Sequence, residues 1–176
     1  MEPTPNAAPG PAADSWIVAT AAPADLPPLA NLMAASPLLR RYGLTRDAAL
    51  AALERALRAG DLLLTVRTTD GPPVGMAWII RSPMLTGAAY LRLLLVAEAA
   101  QRAGLGARLL GVAEGRARES ANHMFLLVTT DNVGARRFYE RWGYRHVGDL
   151  PELAVPGIDE ALYVKALRPH GDRLPA

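Results

Sequence analysis

The most constraining stretch of this chain is Val96 to Ala107, a glycine-containing segment that an apolar run enters and an amphipathic pattern leaves. Residues 90–96 are short and apolar and follow Thr86-Gly87, which is typical of a buried strand. After the segment, apolar side chains recur at helical spacing at Leu105, Leu109, Leu110, Val112 and Ala113. Polar residues are expected on the other faces of that helix, at Arg108, Glu114, Arg116, Arg118 and Glu119.

A strand, a glycine loop and a helix in this order direct free backbone N–H groups and the positive end of the helix dipole toward an anion. Two common phosphate motifs do not fit. The segment lacks the Gly-Lys-Ser/Thr ending of a Walker loop, and Leu109 stands where a dinucleotide fingerprint needs its third glycine. Close packing of the helix on the strand also explains a Gly-x-Gly here, so the segment alone leaves both alternatives open.

The composition excludes several function classes. The 176 residues are most economically one domain, with a formal charge of only +2 from 19 basic and 17 acidic residues. The arginines form no run, which argues against a nucleic-acid partner. Cysteine is absent, and the three histidines (His123, His146 and His170) are too scattered to indicate a metal site, so no metal is expected.

The N-terminal residues do not have the pattern of a secretory signal. Residues 1–14 are rich in proline and alanine without a basic start and an apolar core, so they predict a disordered arm rather than a secretory signal. The domain is expected over residues 15–168, followed by a tail over 169–176. No apolar run approaches the roughly 20 residues that span a bilayer, so we expect a cytoplasmic protein without a membrane partner.

Periodicity and turn signals predict a series of strands and helices. A first strand covers Trp16 to Ala21, Asp25 caps a helix that Ser36-Pro37 ends, and a second helix runs from the N-cap Thr45 to Gly60. The later elements are a hairpin of residues 61–69 and 74–81, a strand over 87–96, the helix after the glycine segment, a strand over 123–130, a helix over 132–142 and closing strands over 144–150 and 159–167. The order β α α β β β α β α β β favours an α/β (α+β) fold, a mixed sheet with helices on both faces.

Two blocks together resemble the GNAT superfamily of acetyl-CoA-dependent N-acetyltransferases. The first sets a strand-ending valine, a glutamine and two glycines before a helix, at Val96, Gln101, Gly104 and Gly106. The second is Asn132 to Tyr144, where an asparagine opens a helix and a Phe-Tyr pair precedes a glycine and an aromatic residue. Glu98 and Arg102 depart from the family's usual proline and glycine, but neither removes a backbone donor.

The resemblance implies a sheet of about seven strands, mostly antiparallel, and acetyl-CoA as co-substrate. It implies that backbone N–H groups from Gln101 to Ala107 hold the pyrophosphate, and that a bulged fourth strand near Leu94 to Val96 pairs with the pantetheine arm. Asn132 is either a contact to the cofactor arm or a plain N-cap, and Arg136 and Arg137 are nucleotide contacts or solvated arginines. The implied cofactor-binding residues are Leu94, Leu95, Val96, Gln101, Arg102, Ala103, Gly104, Leu105, Gly106, Ala107, Asn132, Ala135 and Tyr139.

Tyr139 is the catalytic residue that the resemblance implies. Acetyl transfer from a thioester to a primary amine passes through a tetrahedral intermediate that expels CoA thiolate, and a phenol with a pKa of about 10 can give that sulfur a proton. A tyrosine that only packs its ring is the alternative. The general base is open between Asp131, ordered water and capture of neutral amine, because the fourth strand carries only Tyr90 and Arg92 as polar side chains.

The acceptor side is the least specified by the sequence. The expected loop from Asp149 to Glu160 is acidic, which attracts a cationic amine or merely solvates the surface. Tyr90 and Arg92 share one strand face, where Arg92 clamps a substrate carboxylate or forms a structural salt bridge. We therefore expect N-acetylation of a small amine or peptide amine, with a non-catalytic CoA-binding module as the alternative. Exposed strand edges are compatible with a homodimer.

Overall fold

The structure of the chain, a computed structural model, describes residues 15–81, 87–101 and 103–168. The predicted disordered arm (1–14), the predicted tail (169–176) and Arg102 of the glycine segment lie outside the described residues. The strands are β1 (Trp16–Thr20), β2 (Leu62–Thr68), β3 (Gly75–Arg81), β4 (Ala88–Val96), β5 (His123–Thr129), β6 (Arg145–Val155) and β7 (Ile158–Ala166). The helices are α1 (Leu26–Ala35), α2 (Pro37–Arg41), α3 (Arg46–Ala59), α4 (Leu105–Ala117) and α5 (Val133–Arg141), with single 3₁₀ turns at Pro23–Asp25 and Glu98–Ala100.

The strands form one sheet in the order β1-β2-β3-β4-β5-β7-β6. All neighbours are antiparallel except β4 and β5, which run parallel. This confirms the predicted mixed, mostly antiparallel sheet. The parallel pair lies at the centre, and the crossover that joins its strands contains the glycine segment and α4.

Helices cover both faces of the sheet, and each face has its own core. On one face, Leu109 and Leu110 of α4 pack over Leu64 and Val66 of β2, and all four are at most 1% exposed. On the other face, α1 and α3 cover β2 and β3 through residues such as Leu53. Full burial of one such side chain contributes about 1.5–3 kcal/mol, so α4 is held firmly beneath the centre of the sheet.

The sheet opens between β4 and β5. Their pairing covers Ala88 to Leu91 on β4, and beyond Leu91 the strand keeps only β3 as a neighbour among the described residues. Trp78 pairs with Leu93 and Ile79 with Leu91, so Arg92 is the extra residue of a β-bulge. The resemblance implied a bulge near Leu94 to Val96, but the structure has it at Arg92. Beyond it, one edge of β4 faces open space.

The first helix ends where it was predicted to end, at Ser36-Pro37, but a short helix that was not predicted follows it. Ser36 ends α1 and also caps α2, its Oγ accepting from the backbone N of Leu39 at 3.4 Å. Pro37 takes the first position of α2, where its missing N–H is no loss. Asp25 does not cap α1. Its buried carboxylate instead accepts from the backbone N of Ala22 and from Arg67 on β2, each at 2.8 Å.

The helix before β2 matches its predicted bounds. Thr45 Oγ1 accepts from the backbone N of Ala48 at 3.2 Å, and Gly60 follows the helix with a φ of 78°. A left-handed φ of this kind suits glycine, which has no Cβ to clash with the backbone. The predicted N-cap and C-terminal glycine are therefore confirmed.

The acidic loop predicted from Asp149 to Glu160 is not a loop. β6 continues to Val155 and β7 begins at Ile158, so only Pro156 and Gly157 remain between the two strands. Gly157 has a φ of 76°, which permits this tight connection.

Glu114 also differs from its expected position on a polar helix face. It is 5% exposed, and its two carboxylate oxygens lie 2.6 and 2.8 Å from Lys165 Nζ on β7. This ion pair ties α4 to β7 beneath the sheet.

Candidate active site

Two cavities adjoin the free edge of β4. The loop cavity, about 550 Å³, lies along the glycine segment and is lined by residues including Val96, Gly104, Gly106 and Phe138. The central cavity, about 450 Å³, lies on the other side of β4, toward α1–α3 and β7, and is lined by residues including Tyr42, Trp78, Arg92 and Glu160. The lining of both cavities includes Leu94, Ala135 and Tyr139. The two spaces therefore meet at Tyr139.

The loop cavity has the features of an anion site. Gly104 stands at the N-cap of α4 with a φ of 73° and offers no side chain to cap the helix. The backbone N of Arg108 donates to Gly104 O at 3.1 Å, so the amides of Leu105, Gly106 and Ala107 precede the first helical hydrogen bond. A Cβ on Gly106 would meet only Phe138, at 4.0 Å, so the main chain is open to a ligand. Free amides at a helix N-terminus fit a pyrophosphate.

Most of the predicted cofactor residues surround the loop cavity. Nine of the thirteen implied residues line it, namely Leu94, Val96, Gln101, Gly104, Leu105, Gly106, Ala107, Ala135 and Tyr139. Leu95 instead packs on the α1–α3 face, and Ala103 lines neither cavity.

Gln101 departs from its expected role in one respect. Its backbone N donates to Glu98 O at 3.2 Å and its side-chain Nε2 donates to Val96 O at 3.3 Å. Its amide is therefore occupied and not available to a phosphate in this conformation. Gln101 instead fixes the turn that leads from β4 into the glycine segment.

Arg141 in the loop cavity was missed by the sequence reasoning. It lies on the last turn of α5, three residues after Phe138, and both residues line the cavity. The helical i, i+3 spacing was the available signal. Arg136 takes neither of its two expected roles, because it donates to Tyr163 Oη at 3.0 Å and to Thr130 O at 3.2 Å.

Asn132 and Ala135 open α5 at the central cavity. Asn132 Oδ1 accepts from the backbone N of Ala135 at 3.1 Å, which is the N-cap reading of this residue. Both residues also line the central cavity. Capping uses the carbonyl oxygen of the Asn132 side chain, so the cap and a ligand contact through its Nδ2 are compatible.

Tyr139 has a buried ring and an accessible hydroxyl. The residue is 8% exposed, and its ring makes edge contacts with Phe138 and Tyr144 at centroid distances of 5.2 and 5.5 Å. Within the described part of the chain the hydroxyl forms no hydrogen bond, and it is not among the sealed polar atoms. Burial, and to a lesser degree Tyr90, raises the pKa of Tyr139. The phenol therefore keeps its proton and can donate it at the junction of the cavities.

Glu160 is a buried carboxylate in the central cavity. It is 5% exposed, and Tyr42 Oη donates to its Oε1 while lying 2.8 Å from Thr129 Oγ1. Over residues 15–81, 87–101 and 103–168, no Lys, Arg or His lies within 4 Å of this carboxylate. Burial, together with Glu160, raises the pKa of Tyr42. Among the described residues, the side-chain carboxylate of Glu160 therefore has the neutral hydroxyl of Tyr42 as a hydrogen-bond donor and no cationic partner.

Arg92 also lines the central cavity, as does Tyr90, which shares its strand face as predicted. Its guanidinium lies 5.1 Å from the centroid of the Trp78 ring, and Trp78 Nε1 donates to Asp61 Oδ2 at 2.8 Å. The structural salt bridge considered for Arg92 does not form with any described residue. Arg92 is held by an aromatic ring rather than by a carboxylate.

Asp131 lies apart from this arrangement. Its Oδ2 is 3.0 Å from Arg41, and the two side chains are 60% and 46% exposed. Asp131 does not line either cavity. This geometry disfavours Asp131 among the candidates for the general base.

Among the described residues, no group of three or more His, Asp or Glu side chains is arranged to hold a metal ion. None of the helices described is both long and apolar enough to cross a bilayer.

Comparison with known families identifies the class of protein. The model of the acetyltransferase (GNAT) domain matches residues 43–163, which is more than half of the chain. The protein therefore belongs to the GNAT acetyltransferase family, and the resemblance drawn from the glycine segment and Asn132 to Tyr144 is confirmed.

Individual relatives are acetyltransferases. Blasticidin-S acetyltransferase of Streptomyces morookaense is 42% identical over 78 residues, covering 44% of this chain and 57% of that protein. Acetyltransferase Atu2258 of Agrobacterium fabrum is 34% identical over 94 residues, covering 53% of this chain and 66% of that protein. Each match thus spans less than two thirds of the relative's length.

A solved structure shares the fold. The protein yncA of Salmonella typhimurium, solved with its cofactor acetyl-CoA, superposes with a TM-score of 0.74. The superposition covers 92% of this chain and 99% of that chain at 19% identity. At this identity the likeness shows the fold alone.

Proposed function

We propose that this chain transfers the acetyl group of acetyl-CoA to a primary amine by direct attack of the amine on the thioester. The observation that carries the proposal is the position of Tyr139 where the two cavities meet, with a hydroxyl that has no hydrogen-bond partner among the described residues. Membership of the family, the blasticidin-S acetyltransferase relative and the acetyl-CoA in the Salmonella structure support it.

The loop cavity suits the phosphates of acetyl-CoA. The amides of Leu105, Gly106 and Ala107 would hold the pyrophosphate at the positive end of α4, and Arg141 would add a charge-assisted contact. The free edge of β4 beyond Arg92 would accept the pantetheine arm as an added strand. Acetyl-CoA supplies the activated thioester, and the chain supplies the binding and the proton transfers.

The proton transfers are assigned to two side chains. Glu160, a carboxylate that lines the central cavity, takes one proton from the acceptor ammonium, and the freed lone pair forms the new C–N bond. The C–S bond breaks with its electron pair on sulfur, and the sulfur takes the proton of Tyr139. The Tyr139 phenolate regains a proton from the new amide nitrogen, and Glu160 releases its own to water.

The test is release of free thiol from acetyl-CoA by the purified chain with a panel of primary amines. Tyr139→Phe should lower kcat by about 100- to 10,000-fold, because it removes the general acid. Acetyl-CoA should still stabilise this variant against heat, since the loop cavity is intact. Tyr144→Phe is the matched control, because Tyr144 packs 5.5 Å from the Tyr139 ring but its hydroxyl bonds to Met124 Sδ.

The pH dependence of kcat provides a second readout. Burial holds the pKa of Tyr139 above its ordinary value of 10.0, so the neutral phenol that donates the proton persists as pH rises to 10. We therefore expect that titration of Tyr139 causes no decrease of kcat below pH 10. Any decrease in that range should persist in Tyr139→Phe. A decrease of kcat near neutral pH that is absent from Tyr139→Phe would contradict this assignment. Stabilisation by CoA without thiol release for any amine would instead identify a non-catalytic CoA-binding module.

A further inference from the structure

We propose that the acceptor is a zwitterion, a primary amine that also carries an anionic group such as a carboxylate. Its ammonium binds at Glu160 and its anion at Arg92, on either side of an apolar space. This inference rests on the proposed function, because it assigns the central cavity to the acceptor.

The first argument is the unbalanced charge of Glu160. A buried carboxylate is costly unless a cation or several hydrogen bonds compensate it. Tyr42 provides one hydrogen bond, and the described chain provides no cation within 4 Å. An acceptor ammonium in the central cavity supplies the missing charge and its donors.

The second argument is the placement of Arg92. The β-bulge puts Arg92 and Leu93 on the face of β4 that looks toward α1 and α3, while Leu91 and Leu94 pack on the α4 face. Trp78, itself 6% exposed and fixed by Asp61, supports the guanidinium from one side. Contact with the ring does not use the guanidinium N–H donors, so these donors can still bind a bidentate anion.

The third argument is that these two charges do not satisfy each other. No ion pair joins Glu160 and Arg92, although both line the same cavity. Apolar side chains contribute much of the remaining wall, including Met33, Leu39, Leu44 and Leu93. Burial raises the pKa of Tyr90, while Arg92 lowers it and Glu160 raises it, so one hydroxyl senses both charges.

This arrangement discriminates between classes of amine. A ligand with an ammonium, an apolar spacer and an anion matches all three parts of the cavity. A simple alkylamine leaves Arg92 without a partner, and a diamine places a second cation near it. Electrostatic complementarity of this kind selects by rejecting the mismatched ligand as well as by binding the matched one.

The test uses matched triplets of ω-amino acid, its methyl ester and the alkylamine of the same length, over a series of spacer lengths. Binding to the CoA-saturated protein is measured by calorimetry, and kcat/KM is measured with acetyl-CoA. At the best spacer length, we expect the amino acid to exceed its ester by about 10- to 100-fold in both measurements, since the ester removes a hydrogen-bonded charge pair.

Two variants separate the subsites. Arg92→Gln should bring the acid-to-ester ratio close to one, and Glu160→Gln should weaken every amine of the panel while keeping the ratio. Arg41→Gln is the control, because this exposed arginine pairs with Asp131 and lines neither cavity, so the ratio should stay at the wild-type value. Thermal melting verifies that each variant is folded.

The proposal is overturned if ester and acid bind equally to the wild-type protein, if no member of the panel binds, or if Arg92→Gln keeps the ratio. The wild-type comparison needs no variant, so an unfolded Glu160→Gln protein does not block the test. Failure of the proposed function has a different signature. In that case the CoA-saturated protein still ranks acid above ester, but acetyl-CoA yields no thiol with any amine.

Discussion

The loop cavity and the central cavity are built in different ways. The loop cavity is formed largely by one continuous stretch, from the end of β4 to the start of α4, and presents main-chain amides. The central cavity presents side chains from distant segments, such as Tyr42 and Glu160, which are 118 residues apart and joined by one hydrogen bond.

This difference predicts that backbone shape determines recognition in the loop cavity, whereas individual side chains determine recognition in the central cavity. Main-chain recognition depends on backbone shape, so under the proposed function we expect a change at Gly104 or Gly106 to alter the binding of acetyl-CoA. Side-chain recognition depends on a few functional groups, so we expect a change at Tyr42 or Arg92 to alter acceptor choice while the sheet persists. The following predictions test this separation, from the largest expected effect to the smallest.

Lys165→Met should have the largest effect, because its ion pair is the direct link between α4 under the loop cavity and β7 beside the central cavity. The variant leaves the carboxylate of Glu114 buried without a cation, which should lower the free energy of unfolding by about 3–5 kcal/mol. Urea denaturation measures the change.

The double variant Glu114→Gln with Lys165→Met is the control for this link, since it removes both charges. It should recover much of the lost stability, because no unpaired charge then remains in the interior. Equal losses for the single and double variants would show that packing of Lys165 against Trp142 and Tyr144, at 5.4 and 5.5 Å from the ring centroids, matters more than charge.

Gly106→Val should act on the loop cavity alone. Its side chain would stand in open space where the ligand approaches, so we expect KM for acetyl-CoA to rise by about 10- to 100-fold through lost amide contacts. KM for the best amine should change little. Gly115→Val is the matched control in the same helix, because a Cβ there meets nothing within 4 Å and Gly115 does not line the loop cavity. A similar rise in both variants would point to a general effect on the helix.

Tyr42→Phe should act on the central cavity alone and more weakly. It removes the hydroxyl that donates to Glu160, so KM for the best amine should rise by about three- to tenfold, the usual effect of one hydrogen bond. KM for acetyl-CoA should not move. Thr129→Val removes the other hydrogen-bond partner of the Tyr42 hydroxyl. This variant tests whether Thr129 positions that hydroxyl toward Glu160. A change confined to acetyl-CoA kinetics would refute the division between the cavities.

The same division explains how much of the site the sequence predicts. The glycine segment and the Asn132 cap belong to short local patterns that hydrogen-bonding rules are enough to find, whereas Tyr139 was found through the family resemblance of the block from Asn132 to Tyr144. The pairing of Tyr42 with Glu160 depends on α2, which the pattern analysis missed because Ser36 both ends one helix and begins the next. No local rule brings residues so distant in sequence together.

Turn chemistry accounts for another error. Pro156-Gly157 is a compact turn signal, yet the acidic residues around it suggested a long loop. Strand pairing overrides that composition, and it buries Glu160 between Thr129 of β5 and Leu150 of β6. Glu160, which the sequence placed in an acidic loop, is therefore the buried carboxylate of the central cavity.

The β-bulge at Arg92 changes which residues of β4 face each side of the sheet. Side chains alternate between the two faces of a sheet, and one inserted residue exchanges the faces of everything that follows. If β4 continued past Leu91 with unbroken alternation, Leu94 and Val96 would lie on the α1–α3 face, and Leu93 and Leu95 would lie on the α4 face. The bulge reverses this assignment, so the side chains that β4 gives to each cavity depend on one extra residue. Deletion of Arg92 would remove its guanidinium from the central cavity but leave Leu93 to Val96 on their present faces.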